Sequence, residues 1–362
     1  MTLTCGFIGL GLIGGSIARA IRKYDPDAIL KAYNPSRASL DEALSDGVIN
    51  AGTQSIDSTF SDCRYIFLCG PVSCNDENIA AVKQVMAPDC ILTDIGSVKT
   101  DIHESIAAAG LQSHFIGGHP MAGSERTKYR NSKAELLENA WYILAPEPEV
   151  PAAEVESFRR LIESIGAQPL VLNNGLHDYA VAAVSHVPHV ISASLVNLVK
   201  ECDTPDGIMK LIAAGGFRDI TRISSSSPVM WQQICLTNQE NILKVLDRYI
   251  ADLQNDRALI ADGDADALYA LFDSARQYRD SFAEDRRGPL PRVFMLHVNI
   301  ADRPGVLAEA VSLLASDGIS IKNIGISHNR EYEEGVLRIE LHSREETDRA
   351  AALLKDRGFS VL

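Results

Sequence analysis

Several sets of side chains in this 362-residue chain have types and spacing suited to chemistry. Near the amino end, Gly9-Leu10-Gly11-Leu12-Ile13-Gly14 follows the apolar pair Phe7-Ile8 and precedes a helix-like pattern. A strand stopping at Gly9 and a helix starting near Gly11 aim unpaired backbone N–H groups at one point. The positive end of the helix dipole lies there too, and both favour a phosphate. Gly9 suits the tight turn, Gly11 lets a pyrophosphate approach the backbone of Leu12 and Ile13, and Gly14 lets the helix pack on its strand. His119 follows Gly117-Gly118 and precedes Pro120, which restricts it to extended backbone. Its imidazole titrates near neutrality and is the candidate proton acceptor. Ser97, behind Gly96, suits a helix N-cap, a hydroxyl facing a cleft, or both. Lys99, close behind it, adds positive charge near a ligand, and Glu125 either orients the loop after His119 or sets access to it.

Further along the chain, Arg222 suits a carboxylate clamp, because a guanidinium binds carboxylate in two-pronged fashion and stays charged in a dry pocket. The Gly215-Gly216 pair before it is expected to bring backbone close to another group. His186 and His189 flank Pro188. Two imidazoles three apart on a helix can ligate a metal, but no third ligand is evident and none is expected to bind. Trp231 either packs in the core or meets the ring of a substrate.

The elements that must position these groups alternate strand and helix. After the first helix a strand over 29–33 ends at Asn34. An acid there would hold the adenosine ribose of NAD. This chain has Asn34 followed by Ser36 and Arg37: asparagine can hydrogen-bond a ribose, and arginine can accommodate a 2′-phosphate. NAD is the expected cofactor, with NADP open, and Arg37 has the plain reading of a solvated residue at a helix start. Strands over 65–69, ending at Gly70-Pro71, and over 91–95 follow. Strands over 114–117, 141–144 and 169–172, with a helix over 152–165 before the last, extend the pattern. This alternation predicts a Rossmann-type, doubly wound parallel sheet over 1–172. Ligands of such sheets sit at the carboxyl ends of strands, so the turns after Gly9, Cys69, Ile95 and Gly117 are expected to share one cleft.

From 173 to 285 helical periodicity dominates, with long helices expected over 178–200, 228–253 and 265–282. The apolar run 179–199 has membrane-spanning length, but His186, Pro188, His189 and Asn197 make a buried helix the better reading. Residues 286–291, rich in Pro and Arg, read as a linker. Residues 292–362 show a βαββαβ pattern, the order of a ferredoxin-like sandwich.

Composition narrows the class. Apolar residues make up 46% and charged residues 23%, which suits a soluble globular protein. A net charge of -14 argues against nucleic-acid or anionic-membrane binding, so an anionic ligand needs a locally basic pocket. The seven cysteines form no CxxC pair and read as reduced thiols of a cytoplasmic protein. The first strand begins too early for a signal peptide to precede it.

Four motifs together resemble the prephenate dehydrogenases: GFIGLGLIGGS, DIGSVK over 94–99, GGHPMAGSE over 117–125 and GGFRDITRISSSSPVMW over 215–231. The C-terminal segment, with its Asp302-Arg303-Pro304-Gly305 turn, resembles an ACT domain, a module that binds amino acids between paired copies. The resemblance implies oxidative decarboxylation of prephenate to 4-hydroxyphenylpyruvate and CO2 in tyrosine biosynthesis, with hydride passing to NAD(P). It implies that His119 meets the substrate hydroxyl with Ser97 beside it, that His189 contacts substrate or nicotinamide, and that His186 shapes the pocket. It further implies a homodimer through the helical domain, and feedback inhibition by L-tyrosine held near Asp302, Gly305 and Asn323. An arogenate dehydrogenase, or a nucleotide- and amino-acid-binding sensor without catalysis, are the alternatives. Asn34 departs from members that carry an acid there, which bears on the cofactor and not on the reaction.

Overall fold

The structure, a computed structural model, describes residues 2–123, 126–284, 294–300, 303–328 and 335–361. It divides into two units, Met1–Arg279 and Asp280–Leu362.

The first unit begins with β1 (Thr4–Ile8), buried along its whole length. Then come α1 (Leu12–Tyr24), β2 (Ile29–Tyr33), α2 (Arg37–Ser45), β3 (Ala51–Thr53), β4 (Tyr65–Leu68), α3 (Asn75–Lys83), β5 (Ile91–Asp94) and α4 (Thr100–Ala109). The strands form a parallel sheet in the order β3-β2-β1-β4-β5. Both faces are covered. On one, Ile17 and Ile21 of α1 join Tyr129, Phe158 and Ile162; on the other, Ile79, Val82, Ile102 and Ile106 pack with Phe115. Burial on both faces is why these strands read as unbroken apolar runs.

β6 (Ile116–Pro120), β7 (Trp141–Pro146) and β8 (Gln168–Val171) form a second sheet, with α5 (Ala152–Ser164) between the last two. A parallel bridge from Leu92 to Phe115 links it to β5. The expected all-parallel sheet is corrected here, because β7 runs antiparallel to β6. A parallel return needs a crossover that traverses the sheet face. Among its described residues the connection from β6 holds only short turns, Tyr129–Asn131 and Ala134–Leu137, and these pack against α1 instead.

Two glycines of the first turn have separate mechanical reasons. Gly9 adopts φ +102°, and a Cβ there would sit 2.8 Å from the backbone of Cys69 and Gly70. At Gly14 a Cβ would lie 2.9 Å from both Cys69 Cβ and the Gly9 carbonyl oxygen, so the helix presses on the end of β4. Gly14→Ala should lower the unfolding free energy by about 1–2 kcal/mol, the overpacking outweighing alanine's better helix propensity. A urea titration followed by far-UV circular dichroism checks this.

Helices then take over: α6 (Asn174–Val181), a π turn (Ala182–His186), α7 (Val187–Cys202), α8 (Ile208–Ile212), α9 (Gly215–Thr221), α10 (Pro228–Thr237), α11 (Gln239–Asp262) and α12 (Ala265–Glu284). The helix expected over 228–253 is broken at Asn238, whose side chain is used for tertiary bonds. The helix expected over 178–200 starts earlier and loosens into the π turn just before Pro188, which has no N–H for the regular ladder. The run Asn174–Cys202 is long and apolar enough to cross a membrane by those two criteria, and 28% of its apolar 18-residue window is buried. The expected burial is thus incomplete in one chain: Val184, Leu198, Leu211, Ile212 and Ile220 stand exposed around a small core of Ala182, Val187 and Ile242.

The second unit holds β9 (Phe294–Ile300), α13 (Val306–Ser316), β10 (Ile321–His328), β11 (Gly335–Leu341), α14 (Arg344–Asp356) and β12 (Ser360–Val361). The strands form an antiparallel sheet ordered β10-β11-β9-β12. Val298, Leu314, Leu337 and Leu354 are fully buried in its core. Gly305, at φ +88°, turns the chain into α13, and Asn323 lies exposed at an irregularity in β10. Asp302 and the expected linker 286–291 lie outside the described residues.

Candidate active site

The amino end of α1 is built for an anion. Its cap position is Gly11, which offers no side chain, so the first N–H groups of the helix are left without an internal partner. A Cβ on Gly11 would meet nothing within 4 Å, and Leu12 and Ile13 are only half-buried. Uncapped N–H groups, the helix dipole and open space together fit the pyrophosphate of a dinucleotide. Asn34 braces this loop: its Oδ1 accepts the N–H of Leu10 at 3.1 Å, while its amide donates to the Ser36 carbonyl at 3.3 Å. Ser36 stands at the start of α2 with no capping bond, and Arg37 pairs with Asp41 in an exposed contact of 2.9 Å.

The turns after β4 and β5 meet at a cavity of about 200 Å³. Gly70 and Pro71 line it from the first turn, Gly96 and Ser97 from the second, and Met230, Gln233 and Thr237 from α10. The helical segment thus closes over the carboxyl ends of the strands. Ser97 faces this cavity but is not an N-cap, because α4 begins only at Thr100. The capping is done from a distance. Asp178, on α6, accepts from Lys99 N at 2.7 Å and Thr100 N at 2.8 Å, and from the Thr100 hydroxyl at 2.6 Å.

Lys99 also departs from expectation. It is fully buried, with Nζ donating to Asp94 and, at 2.7 Å, to the Gly118 carbonyl. Asp94 in turn accepts from Gly96 N at 2.8 Å and Gly118 N at 3.0 Å. Lys99 is therefore a buried strut tying β5 to β6 rather than a charge presented to a ligand. Burial pulls its pKa down against the pull of Asp94.

His119 lies on β6, buried, with Nδ1 2.8 Å from His177 Nε2. His177 Nδ1 is 2.7 Å from Asp178 Oδ1. Burial, and then the electrostatic influence of His177, Lys99 and His186, push the His119 pKa well below the ordinary histidine value. His186 is buried too. Asn238 donates from one amide nitrogen to the Asp178 carbonyl at 2.8 Å and to His186 Nδ1 at 3.1 Å. An imidazole nitrogen that accepts must be unprotonated, and burial holds His186 down to about 4. His189 donates from Nδ1 to the Ser185 carbonyl at 2.9 Å and lies flat on Trp231, with centroids 3.7 Å apart. Trp231 is half-buried, with its Nε1 unpartnered and His186 edge-on at 5.9 Å. Both histidines are thus held by protein groups.

Arg222 opens the turn Arg222–Ser225 and is exposed. It forms no ion pair among the described residues, yet its charge is felt by His189, whose pKa is lowered mainly by burial. His119, His186, His189 and Arg222 thus form a chain of neighbours, each acting electrostatically on the next. The close approach expected at Gly215 is corrected: a Cβ on Gly215 or Gly216 would meet nothing, and the pair opens α9. Glu125 lies outside the described residues.

His177, Asp178, Asn238 and Gln233 were not visible as site residues in the sequence. The adjacent His177-Asp178 pair was the available signal, a base beside an acid early in a helix that follows the last strand.

A family model described as "Prephenate dehydrogenase, nucleotide-binding domain" matches residues 17–171, and one described as "Prephenate dehydrogenase, dimerization domain" matches 173–274. The prephenate dehydrogenase of Bacillus subtilis (strain 168) is 35% identical over 356 residues, covering 96% of this chain and 95% of that protein. The crystal structure of prephenate dehydrogenase from A. aeolicus, in complex with hydroxyphenyl propionate and NAD+, aligns with a TM-score of 0.73 at 29% identity. The alignment spans 78% of this chain and 99% of that one. Synechocystis arogenate dehydrogenase aligns with a TM-score of 0.71 at 29% identity, over 77% and 100% of the two chains.

Proposed function

The chain belongs to the prephenate dehydrogenase family and acts as an NAD-dependent dehydrogenase on prephenate; from that premise we propose how its residues divide the work. Residues 1–172 hold the nucleotide, 173–285 complete the substrate site, and 292–362 regulate. The reaction takes a hydride from the ring carbinol carbon, a proton from its hydroxyl, and CO2 from the quaternary carbon opposite. Bound NAD supplies the hydride acceptor. The loop from Gly9 to Gly14 holds its pyrophosphate on the uncapped N–H groups of α1, with Gly70 and Pro71 alongside.

His119 takes the hydroxyl proton and returns it to the phenolate oxygen once CO2 has left. Its depressed pKa keeps it neutral and ready to accept near neutral pH. Ser97 orients the reacting hydroxyl from the cavity wall, Arg222 holds a substrate carboxylate, and the stacked His189–Trp231 pair flanks the ring. The observation that carries this reading is a buried His119 backed by a second imidazole, in the same unit as an open, uncapped helix terminus.

The exposed apolar face of the helical segment includes a groove lined by Leu195, Leu198, Ile220, Leu246, Ile250 and Leu253. We assign its cover to a second copy of the chain, in keeping with the dimerization-domain match over 173–274. The seven free thiols fit a cytoplasmic enzyme. We further propose that the C-terminal unit is an ACT domain that pairs with its copy and binds L-tyrosine at the turn before α13, near Gly305, with Asp302 and Asn323 contributing. The Gly305 turn and the antiparallel sheet with two helices support this.

One assay tests these assignments together: NADH or NADPH formation with prephenate or arogenate, crossed with NAD or NADP, with and without tyrosine. It is run on the full chain and on a chain ending at Pro289. Prephenate with NAD should be the favoured pair, and truncation should leave turnover within about threefold while removing tyrosine sensitivity. Equal tyrosine sensitivity after truncation would move the inhibitor to the active site, and a preference for arogenate would change the substrate.

A further inference from the structure

Asp178 touches two things that the reaction needs. Its oxygens take the N–H groups of Lys99 and Thr100 and the Thr100 hydroxyl, which anchors the start of α4 just beyond the Ser97 loop. The same carboxylate reaches His177 Nδ1 at 2.7 Å, and His177 Nε2 reaches His119 Nδ1 at 2.8 Å. All three residues are buried.

We propose that Asp178 and His177 are positioning residues which fix the protonation pattern of His119, so that its Nε2 always presents a lone pair to the substrate hydroxyl. The argument rests on the assignment of His119 as proton acceptor. An ionised carboxylate only accepts, so His177 Nδ1 carries the hydrogen. A neutral His177 then has a lone pair on Nε2. His119 must donate to it from Nδ1, which leaves His119 Nε2 bare. Burial opposes ionisation of Asp178, but the bonds from His177, Thr100 and the two backbone N–H groups outweigh it and keep the carboxyl charged. When His119 takes the proton, both its nitrogens carry hydrogen, and the resulting cation faces a lone pair backed by a negative charge. The proton moves from the substrate oxygen to His119 Nε2, and no other transfer along the chain is required.

The titratable groups acting on His119 are His177 from α6, Lys99 from the loop before α4, and His186 from the π turn. All three disfavour its charged form. Asp178, one residue further along this chain of bonds, carries the opposite charge.

The experiment compares Asp178→Asn, His177→Gln and Thr100→Val in the full-length enzyme, with His119→Asn as reference. Oδ1 of Asp178 meets both the Lys99 N–H and His177 Nδ1, and Oδ2 meets the Thr100 N–H and hydroxyl. In Asp178→Asn an NH2 at the Oδ1 position makes His177 Nδ1 accept, reverses both tautomers and protonates His119 Nε2. An NH2 at the Oδ2 position instead sets two donors against each other at the helix start. In either orientation the negative charge is lost. We expect kcat to fall on the order of 50-fold, less than the loss when an aspartate directly orients a catalytic histidine, because one ring intervenes. The KM values for prephenate and NAD should stay within about twofold. The acidic limb of the kcat/KM profile should move to lower pH by about one unit, since a negative charge that favoured imidazolium is gone.

His177→Gln keeps an acceptor for His119 but cuts the link to Asp178, so it should lose about tenfold with the same displacement of the limb. Thr100→Val removes one of the bonds that keep Asp178 charged, so it should lower the melting temperature and move the limb in the same direction by less than Asp178→Asn does. The proposal is overturned if Asp178→Asn or His177→Gln, folded by circular dichroism, leaves the acidic limb in place, whatever happens to kcat. If Asp178→Asn does not fold, His177→Gln alone decides in the same way. Full activity in His119→Asn would instead overturn the assignment of the base itself, which separates the two failures.

Discussion

Replacing His119 with asparagine should cut kcat about 10³-fold, within the range that general-base catalysis contributes. The asparagine amide can take the place of Nδ1 and donate to His177, which is 2.8 Å from the native ring, so packing at this buried position changes little. What it cannot supply is a lone pair where Nε2 stood. kcat and kcat/KM for prephenate should fall together, because the lost interaction develops only as the proton moves. NAD affinity, followed by quenching of protein fluorescence, should stay within about twofold, since no residue of the Gly9–Gly14 loop is touched. The pH profile gives a second readout. Burial and the electrostatic influence of His177, Lys99 and His186 hold the wild-type imidazole well below its ordinary value, so activity should persist into mildly acidic buffer and fall only below it. In the variant that limb should vanish. A loss of less than tenfold, or an acidic limb that survives, would remove His119 from proton transfer.

The sequence made the nucleotide end legible because its constraints are local. Gly9 must adopt a positive φ and Gly14 must meet Cys69, and both demands fall on residues beside the strand and helix they serve. His119 stands out as a candidate for a similar reason, placed between a glycine pair and a proline at the end of a strand. Lys99 was not. Its lysine type suggested charge for a ligand, whereas Asp94 and the Gly118 carbonyl, brought together by β5 and β6, bury it completely. Ser97 looked like a cap, but the capping oxygens come from Asp178, far along the chain, and no local pattern announces that. Asn238 was read as the interior of a long helix. Its helix-breaking conformation is held by bonds to Asp178 and His186 that exist only once the helices have packed. The reversal of β7 follows from the turns after β6 packing on α1, again a tertiary fact. Spacing thus exposes constraints that act within one turn of chain, and misses those whose partners arrive from another element.

Arg222→Ala should raise the KM for prephenate about 10²-fold while leaving the KM for NAD unchanged. Arg222 is held in place by its surroundings but not neutralised by them. Ser192 ties the turn down, donating to the Ile220 carbonyl at 3.1 Å and meeting the Ser224 hydroxyl at 2.6 Å. The guanidinium itself is exposed and without an ion pair among the described residues. A cation in that state can take a carboxylate without first releasing one. A charge-assisted two-pronged contact is worth about 3 kcal/mol, which is roughly two powers of ten in binding. The effect should fall on binding more than on turnover, because the carboxylate keeps its charge until the substrate is committed. kcat should therefore drop no more than about tenfold. Arg222→Lys separates charge from shape. The ammonium keeps the positive charge near His189 but loses the planar fork, so it should recover only part of the affinity, leaving KM about tenfold above wild type. Steady-state rates with both substrates varied, repeated at raised ionic strength, provide the check: salt should weaken prephenate binding to wild type more than to Arg222→Ala. An unchanged prephenate KM in the alanine variant would place the substrate carboxylate on another residue. A loss confined to kcat would make Arg222 part of the chemistry instead of the clamp.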